Sequence, residues 1–230
     1  MPQPDDQRVP GRTSFVAQLP PADREGLHRI GQWRFFAADT VMVHQYERSS
    51  HVFVILRGCV KVVSAAGEGY HTVLALRDAG DLVGEQSGLD GRPRSATLRA
   101  LTDVEALLIS ATAFSAYRRT RPAVDVAMQR LLSYRLRESD RSLAGVGASS
   151  TEGRLAGILL RLAHRYGTAV DGGVHIDLPL SQEDLAGLAF SSRRTIGRLL
   201  GEWREAGWID TGRRSILLLD PGALDSVRAS

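Results

Sequence analysis

The chain has 230 residues, 43% of them hydrophobic and 24% charged, with a formal net charge of +3. This composition is ordinary for a globular protein of one or two domains, and no apolar run approaches the ~20 residues that span a bilayer. The single cysteine, Cys59, excludes an intrachain disulfide and a four-thiolate iron–sulfur cluster. The histidines are scattered, with no pair at a metal-ligand spacing, so we expect no metal site. The lack of a long apolar run predicts no membrane association.

The chain begins with MPQPDDQRVPGR, which lacks the apolar core of a secretory signal. We therefore predict a mobile tail over residues 1–20 and a cytoplasmic location. A helical segment, Leu19–Trp33, precedes β-rich runs at 52–58, 60–65, 71–81 and 104–110. Short strands separated by Gly, Asp and Pro are typical of a sandwich or barrel, and we assign residues 21–120 to this domain.

A long helix follows a shorter helical piece, Ala113–Arg119, and we assign residues 121–147 to it and to a hinge. Pro122 suits the first turn of a helix, and apolar residues recur behind it at helical spacing. They are Val124, Ala127, Met128, Leu131, Leu132, Leu136 and Leu143. So long a stripe has more apolar surface than one small barrel edge would cover, which favours pairing with the same helix in a homodimer.

The last domain, residues 148–230, contains a helix at Thr151–Tyr166 and a short strand at Val174–Leu178. Residues 180–219 then predict a helix, a tight turn, a second helix and a hairpin that would form a wing. On the second helix, four apolar residues recur at i, i+3, i+4 and i+7 and mark its buried side. They are Ile196, Leu199, Leu200 and Trp203.

The second helix is basic. Arg194 and Arg198 project away from its apolar side, Arg193 lies on the flank of the first turn, and Ser192 is a good N-cap. A basic helix behind a helix-turn unit is typical of one that enters the major groove of DNA, where arginine can bond guanine bidentately. Thr195 and the wing residues Arg213 and Arg214 are more plausible as phosphate contacts. An ordinary solvated basic face is the alternative interpretation.

Three further stretches carry a family resemblance. They are GEQSGLDGRPRSA at 84–96, RSSHVFVILRGCVKVV at 48–63 and TEGRLAGILLRLA at 151–163. With the order of the predicted elements, they resemble the cyclic-AMP receptor protein / fumarate–nitrate regulator family of bacterial transcription factors over about residues 30–220. The resemblance implies an α+β fold with a jelly-roll sensor domain, a long dimerisation helix and a winged helix-turn-helix.

The resemblance also implies a function and a ligand site. Glu85 would accept a hydrogen bond from the ribose of a cyclic nucleotide, which Gly84 lets approach closely, while Arg94 and Ser95 would bind the cyclic phosphate. Ser139 and Asp140 would contact the purine. The chain would be a homodimeric regulator and not an enzyme, binding pseudo-palindromic double-stranded DNA with half-sites about 34 Å apart. Cyclic AMP is the first candidate effector, and RNA polymerase is a candidate additional partner.

Three residues depart from the family pattern: Gln86 replaces an apolar residue, Asp140 a neutral polar one, and Arg194 a glutamate that reads a base. Alternatives therefore stay open. Glu85 and Arg94 would otherwise form an ion pair that closes a loop, and the regulator would act without a ligand or sense another small molecule or dinucleotide. A jelly-roll metalloenzyme is a third possibility, which the absence of clustered histidines in this region disfavours.

Overall fold

The computed structural model describes residues 14–65, 71–212 and 214–229. The chain divides into two compact units, the first reaching Arg137 and the second beginning at Glu138. Each unit has its own sheet structure and its own buried residues.

The first unit consists of two facing antiparallel sheets with helices on one side. Its elements in chain order are a 3₁₀ turn (Val16–Gln18), α1 (Pro21–Ile30), β1 (Gln32–Phe36), β2 (Val41–Val43), β3 (Val52–Arg57), β4 (Cys59–Ala65), β5 (His71–Asp78), β6 (Leu82–Val83), α2 (Glu85–Asp90), β7 (Thr97–Ala100), β8 (Val104–Ile109) and α3 (Ala111–Thr120).

The strand order identifies a jelly roll. One sheet runs β1-β8-β3-β6 and the other β2-β7-β4-β5, so that the chain passes repeatedly from one sheet to the other. Side chains from both inner faces, among them Phe53 and Ile55 from β3 and Leu98 from β7, form the interior of the roll. The predicted jelly-roll fold is confirmed.

Strand β3 is buried on both faces, which explains its uninterrupted apolar run. Phe53 and Ile55 point into the roll, whereas Val52 and Val54 belong to a second cluster on the outer face of the same sheet. Residues of α1, α3 and the following long helix complete that cluster, including Leu27 and Phe114. Alternate side chains of a strand point to opposite faces, so a strand between two cores has no polar side.

The segment before α1 is packed against the roll. Phe15 and Leu19 are buried in the outer cluster, and the backbone N–H of Val16 donates to the carbonyl of Gly80. Our prediction of a mobile tail over residues 1–20 is therefore wrong from residue 14 onwards, because Phe15 and Leu19 are packed into the outer cluster. The rest of the predicted tail lies outside the described residues.

The long helix, α4 (Pro122–Ala148), begins at the predicted proline. Its first turns are buried in the outer cluster through Val124, Ala127, Met128 and Leu131. Further along the same helix, Leu136 is 64% exposed and Leu143 63% exposed. The predicted apolar stripe thus has a buried beginning and a strongly exposed continuation.

The second unit contains the end of α4 and a small helical domain with one antiparallel sheet. Its elements are α5 (Thr151–Tyr166), β9 (Gly167–Val170), β10 (Gly173–Ile176), α6 (Gln182–Leu188), α7 (Arg193–Glu205), β11 (Ile209–Gly212), β12 (Ser215–Leu218) and α8 (Pro221–Ala229). The sheet runs β11-β12-β10-β9, with β11 and β12 as the hairpin predicted to form the wing. Over the described residues, no helix has both the length and the apolar character of a membrane span.

Candidate functional site

The loop between β6 and α2 turns sharply at Gly84, whose φ of +77° lies in the left-handed region that favours glycine. The position is also crowded, since a Cβ built on Gly84 would lie 2.7 Å from Nη1 of Arg94. Gly84 therefore makes room for the guanidinium of Arg94 at the start of α2. The structure brings together Gly84, Glu85, Arg94 and Ser95, four of the residues predicted to bind a cyclic nucleotide.

Arg94 is only 2% exposed and lies at the centre of this cluster. Its Nη1 donates to the carbonyl of Gly84 (2.8 Å), its Nη2 to the carbonyl of His51 (2.7 Å) and its Nε to Oγ of Ser49 (2.9 Å). Burial lowers the pKa of Arg94, and the carboxylates of Glu47 and Glu85 oppose this shift. The guanidinium thus holds the β2–β3 loop and the start of α2 together.

Glu85, 3% exposed, pairs with a residue that the sequence did not single out. Its Oε1 lies 2.5 Å from Nη1 of Arg135 on α4, and Nη2 of Arg135 donates to the carbonyl of Leu82 (2.6 Å). The ion pair considered between Glu85 and Arg94 is therefore replaced by one between Glu85 and Arg135. This pair joins the β6–α2 loop to the long helix. The sequence offered one clue to Arg135, because it lies four residues before Ser139, a predicted ligand contact, on the same face of the helix.

Ser95 is exposed, and its hydroxyl donates to Oε1 of Gln86 at 2.6 Å. Gln86, the residue that departs from the family pattern, thus contacts the serine predicted to bind a phosphate. On the neighbouring loop, the pKa of Glu47 is lowered, chiefly by the backbone N–H of His44 and then by the hydroxyl of Ser49. Glu47 therefore favours its charged form close to Arg94.

Ser139 and Asp140 are exposed on the part of α4 that belongs to the second unit. The cluster around Arg94 lies within the first unit. The proposed contacts of Ser139 and Asp140 with a purine therefore remain predictions.

The helix-turn-helix is formed by α6 and α7. Ser181 caps α6 in a capping box with Asp184, and Ser192 caps α7, its Oγ accepting from the backbone N–H of Thr195 at 3.0 Å. Between the two helices the chain turns through Phe190, whose φ is +50°. The predicted N-cap at Ser192 is confirmed.

The two sides of α7 differ as predicted. Ile196, Leu199, Leu200 and Trp203 are all buried. The opposite side is exposed and carries Arg194 and Arg198, and Arg193 is exposed on the flank of the first turn. Thr195 is half-buried and lies at the edge of that surface. We call Arg193, Arg194 and Arg198 the arginine face.

Two contacts on α7 were not foreseen. Nη1 of Arg198 lies 2.6 Å from Oε1 of Glu202, one turn further along the helix. A Cβ on Gly197 would lie 3.1 Å from Oε1 of Gln182, so this glycine accommodates a side chain of α6. At Gly197 the space left by the missing side chain is therefore used within the protein. Around Gly201 the space is open.

The wing follows α7. Arg214 is exposed at the hairpin tip with a φ of +65°, and Arg213, the other predicted phosphate contact, lies outside the described residues. Nη1 of Arg204 donates to Oγ1 of Thr211 at 3.3 Å and so links α7 to the first strand of the hairpin. Within the described ranges 14–65, 71–212 and 214–229, no group of three or more His, Cys, Asp or Glu side chains could hold a metal ion.

Comparison with known families assigns both units. Residues 33–121 match the cyclic nucleotide-binding domain, and residues 153–227 match the Crp-like helix-turn-helix domain. Together these ranges cover most of the chain and correspond to the jelly roll and to the domain that carries the arginine face.

Curated relatives match most of the chain. The chain is 31% identical to the CRP-like cAMP-activated global transcriptional regulator of Mycobacterium tuberculosis over 174 residues, 76% of this chain and 78% of the relative. It is 26% identical to the cAMP-activated global transcriptional regulator CRP of Salmonella typhimurium over 188 residues, 80% of this chain and 87% of the relative. The solved structure of the c-di-GMP responsive global regulator CLP of Xanthomonas campestris has the same fold, with a TM-score of 0.78 at 20% identity, covering 86% of this chain and 99% of that one.

Proposed function

Because this chain belongs to the CRP/FNR family of transcription regulators, with a cyclic nucleotide-binding domain and a DNA-binding helix-turn-helix, we propose that it acts as a homodimer on a pseudo-palindromic site. We further propose that a cyclic nucleotide, first of all cyclic AMP, controls its binding to DNA. The observation that carries the proposal is the arginine face of α7, which is exposed while the apolar side of the same helix is buried.

DNA recognition would divide between base edges and phosphates. Arg193, Arg194 and Arg198 would read bases in the major groove, since a guanidinium can donate two hydrogen bonds to O6 and N7 of guanine. Ser192, Thr195, Arg213 and Arg214 would contact phosphates, where they contribute affinity without sequence preference. The N-terminus of α7 adds free backbone N–H groups and the positive end of the helix dipole.

We predict that Arg198→Ala relaxes the preference for guanine at one position of each half-site by about five- to 150-fold, equivalent to ~1–3 kcal/mol. Arg214→Asn is the contrasting variant, because asparagine tolerates the left-handed backbone at this position. It should weaken binding evenly across sequences and reduce the salt dependence. Selection of duplexes from a random pool, followed by titration of single-base variants, measures both effects. An unchanged base profile for Arg198→Ala would remove its role as a reader.

Cyclic AMP is supported by the domain match and by relatives described as cAMP-activated. The chemistry also fits, since a cyclic phosphate is an anion suited to the guanidinium of Arg94 and the hydroxyl of Ser95, and a ribose hydroxyl is suited to the carboxylate of Glu85. The purine would meet Ser139 and Asp140, with one contact coming from the partner subunit. Such a ligand would favour one arrangement of the DNA-binding domains over others.

Calorimetric titration of the purified full chain with cyclic AMP and cyclic GMP tests the ligand. We expect saturable heat with cyclic AMP and a higher affinity for operator DNA in its presence. No heat with either nucleotide at millimolar concentration would remove the cyclic nucleotide from the proposal and leave the DNA-binding role standing.

A second possibility is a regulator that needs no nucleotide or senses a different small molecule or a dinucleotide. It is favoured by the internal contacts of the candidate pocket residues, since Glu85 pairs with Arg135, Arg94 has three protein acceptors and Ser95 donates to Gln86. Gel-shift assays with and without cyclic AMP distinguish the two, because equal DNA affinity in both conditions supports the second. In either case a cytoplasmic location is expected, and RNA polymerase is the candidate additional partner.

A further inference from the structure

The guanidinium of Arg198 is held by a carboxylate on its own helix. Nη1 of Arg198 and Oε1 of Glu202 lie 2.6 Å apart, and both side chains are substantially exposed, at 60% and 50%. Residues four apart lie on one side of a helix, so Glu202 follows Arg198 along the exposed side of α7. An exposed ion pair of this kind contributes little to folding stability. Its main effect is therefore to hold the guanidinium of Arg198 in one position.

The pair leaves Arg198 able to read a base. Arginine has five N–H donors, and Glu202 engages one nitrogen, Nη1. Nε and Nη2 keep their hydrogens and form a two-pronged donor that matches O6 and N7 of guanine. An unpaired arginine loses conformational freedom when it docks, whereas one already held in place has lost part of that freedom beforehand.

We propose that Glu202 is a positioning residue for DNA recognition, which fixes the guanidinium of Arg198 for guanine while its negative charge weakens binding to DNA of any sequence. The inference rests on the proposed reading role of Arg198. The phosphate backbone repels a nearby carboxylate, so the Arg198–Glu202 pair would lower the affinity for DNA in general. The same pair would raise the discrimination between bases at the position that Arg198 reads.

Two substitutions separate position from charge. Glu202→Gln removes the charge and the ion pair, so discrimination at the position read by Arg198 should fall by about two- to tenfold, while affinity for random duplex should rise. Glu202→Asp keeps the charge on a side chain one methylene shorter, so discrimination should fall without the rise in general affinity. Arg198 and Glu202 are both on the surface, and thermal unfolding would verify that the two Glu202 variants remain folded.

Glu205→Gln is the matched control. Glu205 is an exposed carboxylate on the same helix, seven residues and about 10 Å along the axis from Arg198. It should change general affinity alone. Equal base profiles for Glu202→Gln, Glu205→Gln and the unmodified chain, with Arg198→Ala still relaxing its position, would overturn the role of Glu202. If Arg198→Ala itself had no effect on the profile, the reading role of Arg198 would fail first and this inference with it.

Discussion

Replacing Arg94 with leucine is expected to abolish cyclic AMP binding and to lower the free energy of unfolding by about 3 kcal/mol or more. The guanidinium is buried, and its removal leaves the carbonyls of Gly84 and His51 and the hydroxyl of Ser49 without their donor. An unsatisfied buried acceptor costs about 1–3 kcal/mol, and leucine offers no donor in return. The loops that frame the candidate ligand site would lose their common anchor.

Calorimetry with cyclic AMP and urea unfolding of the full chain measure the two effects. Arg92→Leu is the control, because Arg92 is exposed two residues away and its side chain makes no hydrogen bond or ion pair with the described residues. A third variant, Ser95→Ala, separates ligand contact from loss of structure, since Ser95 is exposed and its change should weaken binding without lowering stability. Normal cyclic AMP affinity in both Arg94→Leu and Ser95→Ala would contradict the assignment of the phosphate site.

Local patterns predicted the elements that carry strong periodic signals. The helix at Thr151–Tyr166 was predicted to the residue, because its apolar face is regular and Ser150 caps it. The buried side of α7 and its exposed arginines were also predicted, because the apolar residues of this helix recur at helical spacing and the arginines lie outside that pattern. The strands β3, β4 and β8 emerged from β-rich runs between turns.

Other elements gave weak signals. Helix α2 has only six residues, EQSGLD, with a glycine inside, and β1 is an edge strand with mostly exposed residues. Their formation depends on neighbours: α2 follows the turn at Gly84 that Arg94 packs against, and β1 pairs along its whole length with β8. Short elements of this kind are stabilised by tertiary contacts and not by their own propensity.

In the candidate site, the partners of the side chains were likewise harder to predict from the sequence than the residues themselves. Glu85 and Arg94 were identified from the sequence as candidate ligand contacts, and both are buried in the structure, but their partners depend on which elements meet. Arg135 comes from α4, 50 positions further along the chain, and the acceptors of Arg94 are mostly backbone carbonyls that no residue type reveals. Sequence spacing identifies residues on one helix face, whereas contacts between distant segments require the fold.

Introducing glutamate at both Leu136 and Leu143 is expected to convert the proposed dimer into a monomer. Each leucine is more than 60% exposed in the single chain, and the two lie seven residues apart on one face of α4. Leucines exposed at this spacing are typical of a helix that pairs with a copy of itself. In a twofold interface each substitution occurs twice, so four unpaired carboxylates would be buried among apolar side chains, at a cost of several kcal/mol.

The loss of pairing should be measured as mass by sedimentation equilibrium and as affinity for DNA carrying one or two half-sites. Binding to a single half-site should be unchanged, because α7 is untouched, whereas the advantage of the two-site duplex, about 100-fold or more, should disappear. Val126→Glu is the control, since Val126 is an exposed apolar residue on a different side of α4 and its change should leave the dimer intact. If the doubly substituted chain still sediments as a dimer, the subunits pair through another surface. The prediction depends on an apolar contact between the faces of α4 that carry Leu136 and Leu143, and that contact cannot form when both residues are glutamate.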